Sequence, residues 1–183
     1  VSHRDNDAVA RVAGRGHVSS MGRILKFLVA RPGIAIILPP AIALGMALVA
    51  QYGFALPPCP LCVWQRWPYV VAIALGGLAI LVPRTAIAML LLAAVAFAVS
   101  AGVGVFHAGV EQGLWKGLES CSAISTPGSL ADLKAQIMAA QPARCDQVPF
   151  AFLGLSIAGW NAVFGTLASL LMLRLATLKI RNR

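Results

Sequence analysis

Four long apolar stretches dominate the chain. Residues 33–56, 85–110 and 148–173 contain no Asp, Glu, Lys or Arg, and residues 63–82 contain only Arg66, near their start. Apolar residues fill these stretches on every side instead of recurring at i, i+3 and i+4, so no polar face is left for water. A helix crossing a ~30 Å hydrocarbon layer needs about 20 such residues, and in lipid each backbone polar group must be satisfied within the segment. Each stretch therefore predicts a transmembrane helix. The short link Pro83-Arg84-Thr85 makes the second and third spans an antiparallel hairpin, whereas residues 111–147 form a long third connection.

Composition agrees with an integral membrane protein in a lipid bilayer. The 183 residues are 59% hydrophobic and 11% charged, against about 45–50% and 25% in soluble domains. The net charge of +9 does not point to nucleic acid, because the basic residues flank apolar runs and no soluble basic domain remains. Arg4, Arg11, Arg15, Arg23, Lys26 and Arg31 precede the first span, Arg84 lies in the short link, and Arg174, Lys179, Arg181 and Arg183 follow the last. The long connection instead mixes Lys116, Lys134 and Arg144 with Glu111, Glu119, Asp132 and Asp146. The positive-inside rule then puts both termini and Arg84 in the cytoplasm and the other two loops outside.

The expected organisation is a basic cytoplasmic segment at residues 1–32, disordered over Val1 to Ser20, a four-helix membrane domain at residues 33–175, and a basic cytoplasmic tail at residues 176–183. No cleavable signal peptide is expected, the first span acting as its own export signal, and Met21 offers an alternative start. The fold class is an all-α four-transmembrane-helix bundle. Small residues at Ala94, Ala98 and Gly102, and at Ser100 and Gly104, suit close helix approach. In the second outer loop, Ser129 can cap a short amphipathic helix whose stripe is Leu130, Leu133 and Ile137.

On this topology all the cysteines, Cys59, Cys62, Cys121 and Cys145, lie outside, two in each loop. In an oxidising compartment that is compatible with two disulfides. As a mere staple the C-x-x-C pair is poorly placed, since so small a ring removes little unfolded-chain entropy. As a redox device it is well placed. Cys62 falls in the first turn of the second span, where unpaired N–H groups favour an anion, and Arg66 follows four residues later on the same face. A thiolate attacks disulfides or donates to an electrophile, which makes Cys62 the membrane-proximal nucleophile. Arg66 also suits snorkelling among Trp64, Trp67 and Tyr69 as an aromatic belt. His107, near the outer end of the third span, is an ionisable group in a membrane segment and so a candidate site residue. Zinc is disfavoured, because just one half of the cysteine set has knuckle spacing and the compartment is oxidising, and Val63 after Cys62 breaks the C-x-x-C-H haem motif. Without a dinucleotide, flavin or haem signature, a lipid-soluble acceptor beside the second span is the simplest electron sink.

Cys59-Pro60-Leu61-Cys62-Val63-Trp64-Gln65-Arg66 at the head of a second span, two distant cysteines in a second outer loop, and Phe152-Leu153-Gly154-Leu155 after them resemble the DsbB family of disulfide-bond formation proteins. The resemblance runs from about Gly33 to Leu173. It implies a multi-pass protein of the bacterial inner membrane that reoxidises a periplasmic thioredoxin-fold partner, DsbA in that family, and reduces ubiquinone or menaquinone. It further implies that the partner attacks Cys121, that Cys145 is released and attacks Cys59, and that Cys62 is freed as a thiolate toward the quinone. Arg66 and His107 match family residues near the quinone. The chain departs from the family in its longer N-terminal extension and in Gln65, where an acidic residue is sometimes found. A vitamin K epoxide reductase-like oxidase would carry the C-x-x-C on a late span, the reverse of the order here. A non-catalytic membrane protein or transporter with structural disulfides is the other alternative, and a transporter would be expected to carry more intramembrane charge.

Overall fold

In the computed structural model, residues 22–118, 129–131, 134, 144–148 and 150–182 are described. Among them four long helices follow one another. Helix α1, Pro32–Leu48, starts with a proline where a missing N–H costs nothing and widens at its end into a π-helical turn, Val49–Gly53. Helix α2, Pro60–Leu81, is joined through a 3₁₀ turn at Pro83–Thr85 to α3, Ala86–Glu111. Helix α4 is Ile157–Arg181. A further helical stretch, residues 22–30, precedes α1, and the Lys179 Nζ donates to the Val29 carbonyl at 3.3 Å, tying it to the end of α4.

One expectation changes in the structure and a second is met in part. The fourth apolar stretch does not start as a helix: Ala151–Phe152 (β1) and Leu155–Ser156 (β2) pair antiparallel across a tight turn. Leu153 and Gly154 hold φ of 52° and 79° there, left-handed values that an α-helix cannot contain and that a two-residue hairpin turn requires. Among the described residues the regular structure is thus helical apart from this small ribbon, and Ser156 caps α4, its hydroxyl accepting from the Gly159 N–H at 3.1 Å. Secondly, Pro32–Gly53, Pro83–Glu111 and Ile157–Arg181 are long and apolar enough to cross a membrane. Helix α2 has the length, but Gln65, Arg66, Pro68 and Tyr69 dilute its first half. Of the amphipathic helix expected at residues 129–137, Leu130, Ala131 and Lys134 are helical and exposed, and the rest lies outside the described residues.

Packing runs in sequence, α1 on α2, α2 on α3 and α3 on α4. The seam between α3 and α4 is built from Ala93, Phe97, Ala101 and Gly104 against Ala158, Gly165, Ala168 and Met172. The row Ala94, Ala98, Gly102 does not pack as expected: Ala98 and Gly102 are exposed. At 3.6 residues per turn a strict fourth-residue row drifts around the helix, so the buried stripe alternates steps of three and four instead. The large residues Leu91, Leu92, Val95 and Val99 lie exposed, as a lipid-facing surface demands.

Glycine sets the closest approach of α1 and α2. A Cβ on Gly76 would stand 2.5 Å from Ile37 Cγ1 and 3.0 Å from the Gly33 carbonyl oxygen, whereas one on Gly77 would meet nothing within 4 Å. Gly76→Ala is therefore expected to destabilise the purified protein by about 1–3 kcal/mol through overpacking, seen as a lowered thermal midpoint in detergent. Gly77→Ala should leave the midpoint unchanged or raise it; equal loss in both variants would contradict this packing.

Candidate functional site

The residue before a proline is pushed into extended backbone, and Cys59 before Pro60 obeys, with φ −73° and ψ 164°. That conformation makes Cys59 the N-cap of α2, its sulfur accepting from the Cys62 N–H at 3.2 Å. Positions i and i+3 meet on one face at a helix start. The Cys59 thiol accordingly donates to the Cys62 sulfur across 2.8 Å. Both cysteines are free thiols, Cys59 buried and Cys62 half-buried.

The pair is electrostatically unequal. Cys62 lies ahead of the apolar stretch that starts at Val63, and the hydrogen bond from the Cys59 thiol, aided by the Arg66 charge, lowers it from 9.0 to about 7 against the opposing cost of burial. Cys59, the donor, is pushed far upward by that same bond and by burial. One proton is thus shared asymmetrically, with the anion on Cys62. Arg66 is one turn on, and its Nη1 donates to Gln51 Oε1 at 2.7 Å in the π-helical turn that ends α1. Trp64 and Trp67 are exposed around it, but Tyr69 is not part of an aromatic belt: it is 3% exposed and its hydroxyl donates to Asn161 Oδ1. Four residues past Gln65, it shares the inward face of α2.

His107 comes from the last turns of α3 and is buried beside the dithiol. One ring nitrogen, Nε2, lies 3.6 Å from Cys59 Sγ and 3.8 Å from Glu111 Oε1, and the other, Nδ1, accepts from Gln65 Nε2 at 2.9 Å. Cys145 is disulfide-bonded and fully buried, packed with Cys59, Leu61 and Val110. The flanking Arg144 and Asp146 form a two-pronged ion pair at 2.6 and 2.9 Å that keeps their charges outside while Cys145 points inward. Cys59 Sγ, a His107 ring nitrogen and Cys145 Sγ all lie within 4.8 Å of one another. Cys121 lies outside the described residues. Four of the six sequence candidates, Cys59, Cys62, His107 and Cys145, therefore gather in one cluster, with Arg66 one turn along α2.

Sequence reasoning passed over Gln51 and Glu111 as site residues, gave Gln65 no contact, read Ser100 only as a small residue and left out Asn161. The signal for the last two is an uncharged polar residue inside an apolar run. Ser100 Oγ donates to the Gln65 carbonyl at 3.0 Å, and Asn161 Nδ2 donates to the Ser100 carbonyl and hydroxyl at 3.2 Å each. Together with Tyr69 they stitch α2, α3 and α4 below the thiols, and among the described residues no buried side-chain nitrogen or oxygen lacks a partner. An orphaned group there would cost about 1–3 kcal/mol.

The shift on Cys62 fixes a pH dependence. A depressed thiol is an anion above its folded value and loses the charge below it, so alkylation of Cys62 in the protein with both thiols free should rise through about pH 7. Cys59 should stay unreactive across that range. Arg66→Ala should move the Cys62 profile to higher pH; a midpoint near the ordinary thiol value in the unaltered protein would contradict the geometry.

Comparison with known proteins supplies a lineage for this arrangement. An uncharacterized protein of Rickettsia prowazekii (strain Madrid E), RP370, is 29% identical over 123 residues, covering 66% of this chain and 72% of its own. No solved structure matches significantly. The family model described as "Disulfide bond formation protein DsbB" matches residues 31–175, from the start of α1 into α4 and across all the cysteines, and this chain belongs to that family.

Proposed function

We propose that the protein is an inner-membrane thiol oxidase that takes electrons from the dithiol of a periplasmic, DsbA-like thioredoxin-fold partner and delivers them to a membrane quinone. The observation that supports it is the position of Cys59. Its sulfur stands 2.8 Å from that of Cys62 and within 4.8 Å of that of Cys145, so it can exchange disulfide bonds with either.

The reaction balances as a series of exchanges. A partner thiolate attacks Cys121 of a Cys121–Cys145 disulfide, forming a mixed disulfide and releasing Cys145. Cys145 attacks Cys59 of a Cys59–Cys62 disulfide, so the Cys59–Cys145 bond forms and Cys62 leaves as a thiolate. The partner's second thiol then resolves the mixed disulfide and departs oxidised. Freed Cys121 recaptures Cys145 and releases Cys59. That leaves Cys59 and Cys62 as thiol and thiolate with Cys145 disulfide-bonded, which is the redox state of the structure. A quinone supplies a sink for two electrons and two protons, the amount released when the Cys59–Cys62 bond re-forms.

The residues around Cys62 suit such an acceptor. Cys62 is half-buried at the membrane lip, Arg66 offers a guanidinium for an oxygen that gains negative charge, Gln51 holds that guanidinium in place, and Trp64 and Trp67 give flat apolar surface nearby. His107 touches Cys59 and not Cys62 in the hydrogen bonds described, so its influence on the acceptor runs through the sulfur pair. In this reading α2 is the fourth crossing, packed between α1 and α3, with both termini and Arg84 cytoplasmic and the thiol cluster periplasmic.

Quinone reduction by the purified protein with a reduced thioredoxin-fold donor tests the proposal. Cys121→Ser should abolish turnover at donor capture and Cys62→Ser at the quinone step; full activity of Cys62→Ser would refute the reading. Arg66→Ala should raise the quinone KM at least tenfold, about 1.4 kcal/mol, with the donor KM unchanged.

A further inference from the structure

The arrangement of Cys59, His107, Cys145 and Glu111 has a second chemical capacity. These groups come from three places in the chain: the cap of α2, the last turns of α3, and the turn before the hairpin. The donor atoms of Cys59, His107 and Cys145 converge, and Glu111 lies beside His107. The Cys59 Sγ to His107 Nε2 distance is 3.6 Å, the Glu111 Oε1 stands 3.8 Å from that same nitrogen, and the Cys145 sulfur lies within 4.8 Å of both Cys59 Sγ and the His107 ring. Tetrahedral Zn²⁺ bonds of about 2.3 Å to sulfur and 2.0–2.1 Å to nitrogen put a sulfur and a nitrogen ligand about 3.6 Å apart. The pocket is also dry: Cys59, His107 and Cys145 are buried, and the side chains of His107 and Glu111 are each 4% exposed.

We propose that, once its second cysteine pair is reduced, the protein binds one Zn²⁺ ion between Cys59 Sγ, Cys145 Sγ and His107 Nε2, with an oxygen ligand, water or the Glu111 carboxylate turned toward the ion, in the fourth position. This ligand set differs from a zinc knuckle. The cysteines do not form two knuckles; each pair contributes one sulfur and α3 contributes the His107 nitrogen, and the reduced state removes the obstacle that an oxidising compartment sets to thiolate ligands. In the structure Cys145 is disulfide-bonded, so the site is closed to metal in that state. It opens when a dithiol or a phosphine gives two electrons to that disulfide and leaves two thiols. Zn²⁺ then displaces the protons of Cys59 and Cys145, releasing two protons and neutralising two buried thiolates, while the His107 proton passes from Nε2 to Nδ1 and the Gln65 amide turns its oxygen to accept it. The bound ion would hold Cys59 away from disulfide exchange, making zinc a reversible trap for the over-reduced protein.

This site stands independently of the electron acceptor, and its test needs no turnover. The probe is Co²⁺, titrated anaerobically into the full chain in detergent after reduction with a phosphine. One equivalent should produce a tetrahedral spectrum with thiolate-to-cobalt absorption, displaced by one equivalent of Zn²⁺, and the oxidised protein should give none. Cys62→Ser should retain the spectrum, whereas Cys145→Ser and His107→Ala should lose it. Retention in Cys145→Ser or loss in Cys62→Ser would mean that the C-x-x-C pair alone holds the metal and would overturn the proposal. Because a variant in so packed a cluster can misfold, X-ray absorption of the zinc-loaded unaltered protein provides a second criterion. Two sulfur and two nitrogen or oxygen ligands are expected; three or four sulfurs, or no tetrahedral site, would overturn it.

Discussion

A single shared proton between Cys59 and Cys62 organises the chemistry of this molecule. Cys59 donates to the sulfur one helical turn away, and so the anion resides on the more accessible thiol. Nothing exotic is required to produce this. Proline after Cys59 extends its backbone, the extended residue caps α2, and the cap places the sulfurs 2.8 Å apart beside the N–H groups of a first turn. Arg66, anchored by Gln51, adds a positive charge on the same face. The local backbone rule therefore propagates directly into which sulfur carries charge.

That arrangement needs a rigid floor, which the membrane makes expensive to build from polar groups and unsafe to leave incomplete. Gln65, Ser100, Asn161 and Tyr69 supply it: the Gln65 amide donates to His107, and the other three are satisfied by one another or by a backbone carbonyl. In a hydrocarbon surrounding no water replaces a missing partner, so the network ties α2, α3 and α4 into one register. The small residues of the α3 and α4 seam permit the approach that brings Asn161 to Ser100: a Cβ on Gly104 would already touch the Ala162 nitrogen at 3.0 Å. Packing and polar contact are thus two aspects of the same constraint. The same end of α3 carries Trp115, folded back over Gly109 with its indole N–H on the Phe106 carbonyl, which covers the helix end next to His107.

Residues that perform similar roles in sequence play different ones in space. Trp64, Trp67 and Tyr69 look alike as a row of aromatics, yet the first two face outward and Tyr69 faces the bundle, because four residues of helix return it to the side of Gln65. Similarly, Arg66 and His107 were both expected near an acceptor. The structure gives Arg66 to the end of α1 and His107 to Cys59, Gln65 and Glu111. The difference arises from Gln65 and Arg66 being adjacent in sequence and therefore about 100° apart around α2.

The sequence by itself determined the apolar helices, the C-x-x-C at the head of one of them, the Arg66 that follows it, and the resemblance that family membership bears out. These are legible because they depend on local composition and on spacing within a turn or two. The sequence did not determine that residues 151–156 form a hairpin before α4, that the packed row of α3 bypasses Ala98 and Gly102, or that Glu111 faces His107. The meeting of Cys145 with Cys59, 86 positions away, was implied only through that resemblance and not by composition or spacing. Those outcomes depend on how the helices rotate against one another, and rotation is decided by which small residues and which buried hydrogen bonds can be satisfied at once. An apolar pattern that covers every side of a helix carries no record of that choice, so only the tertiary structure could make it.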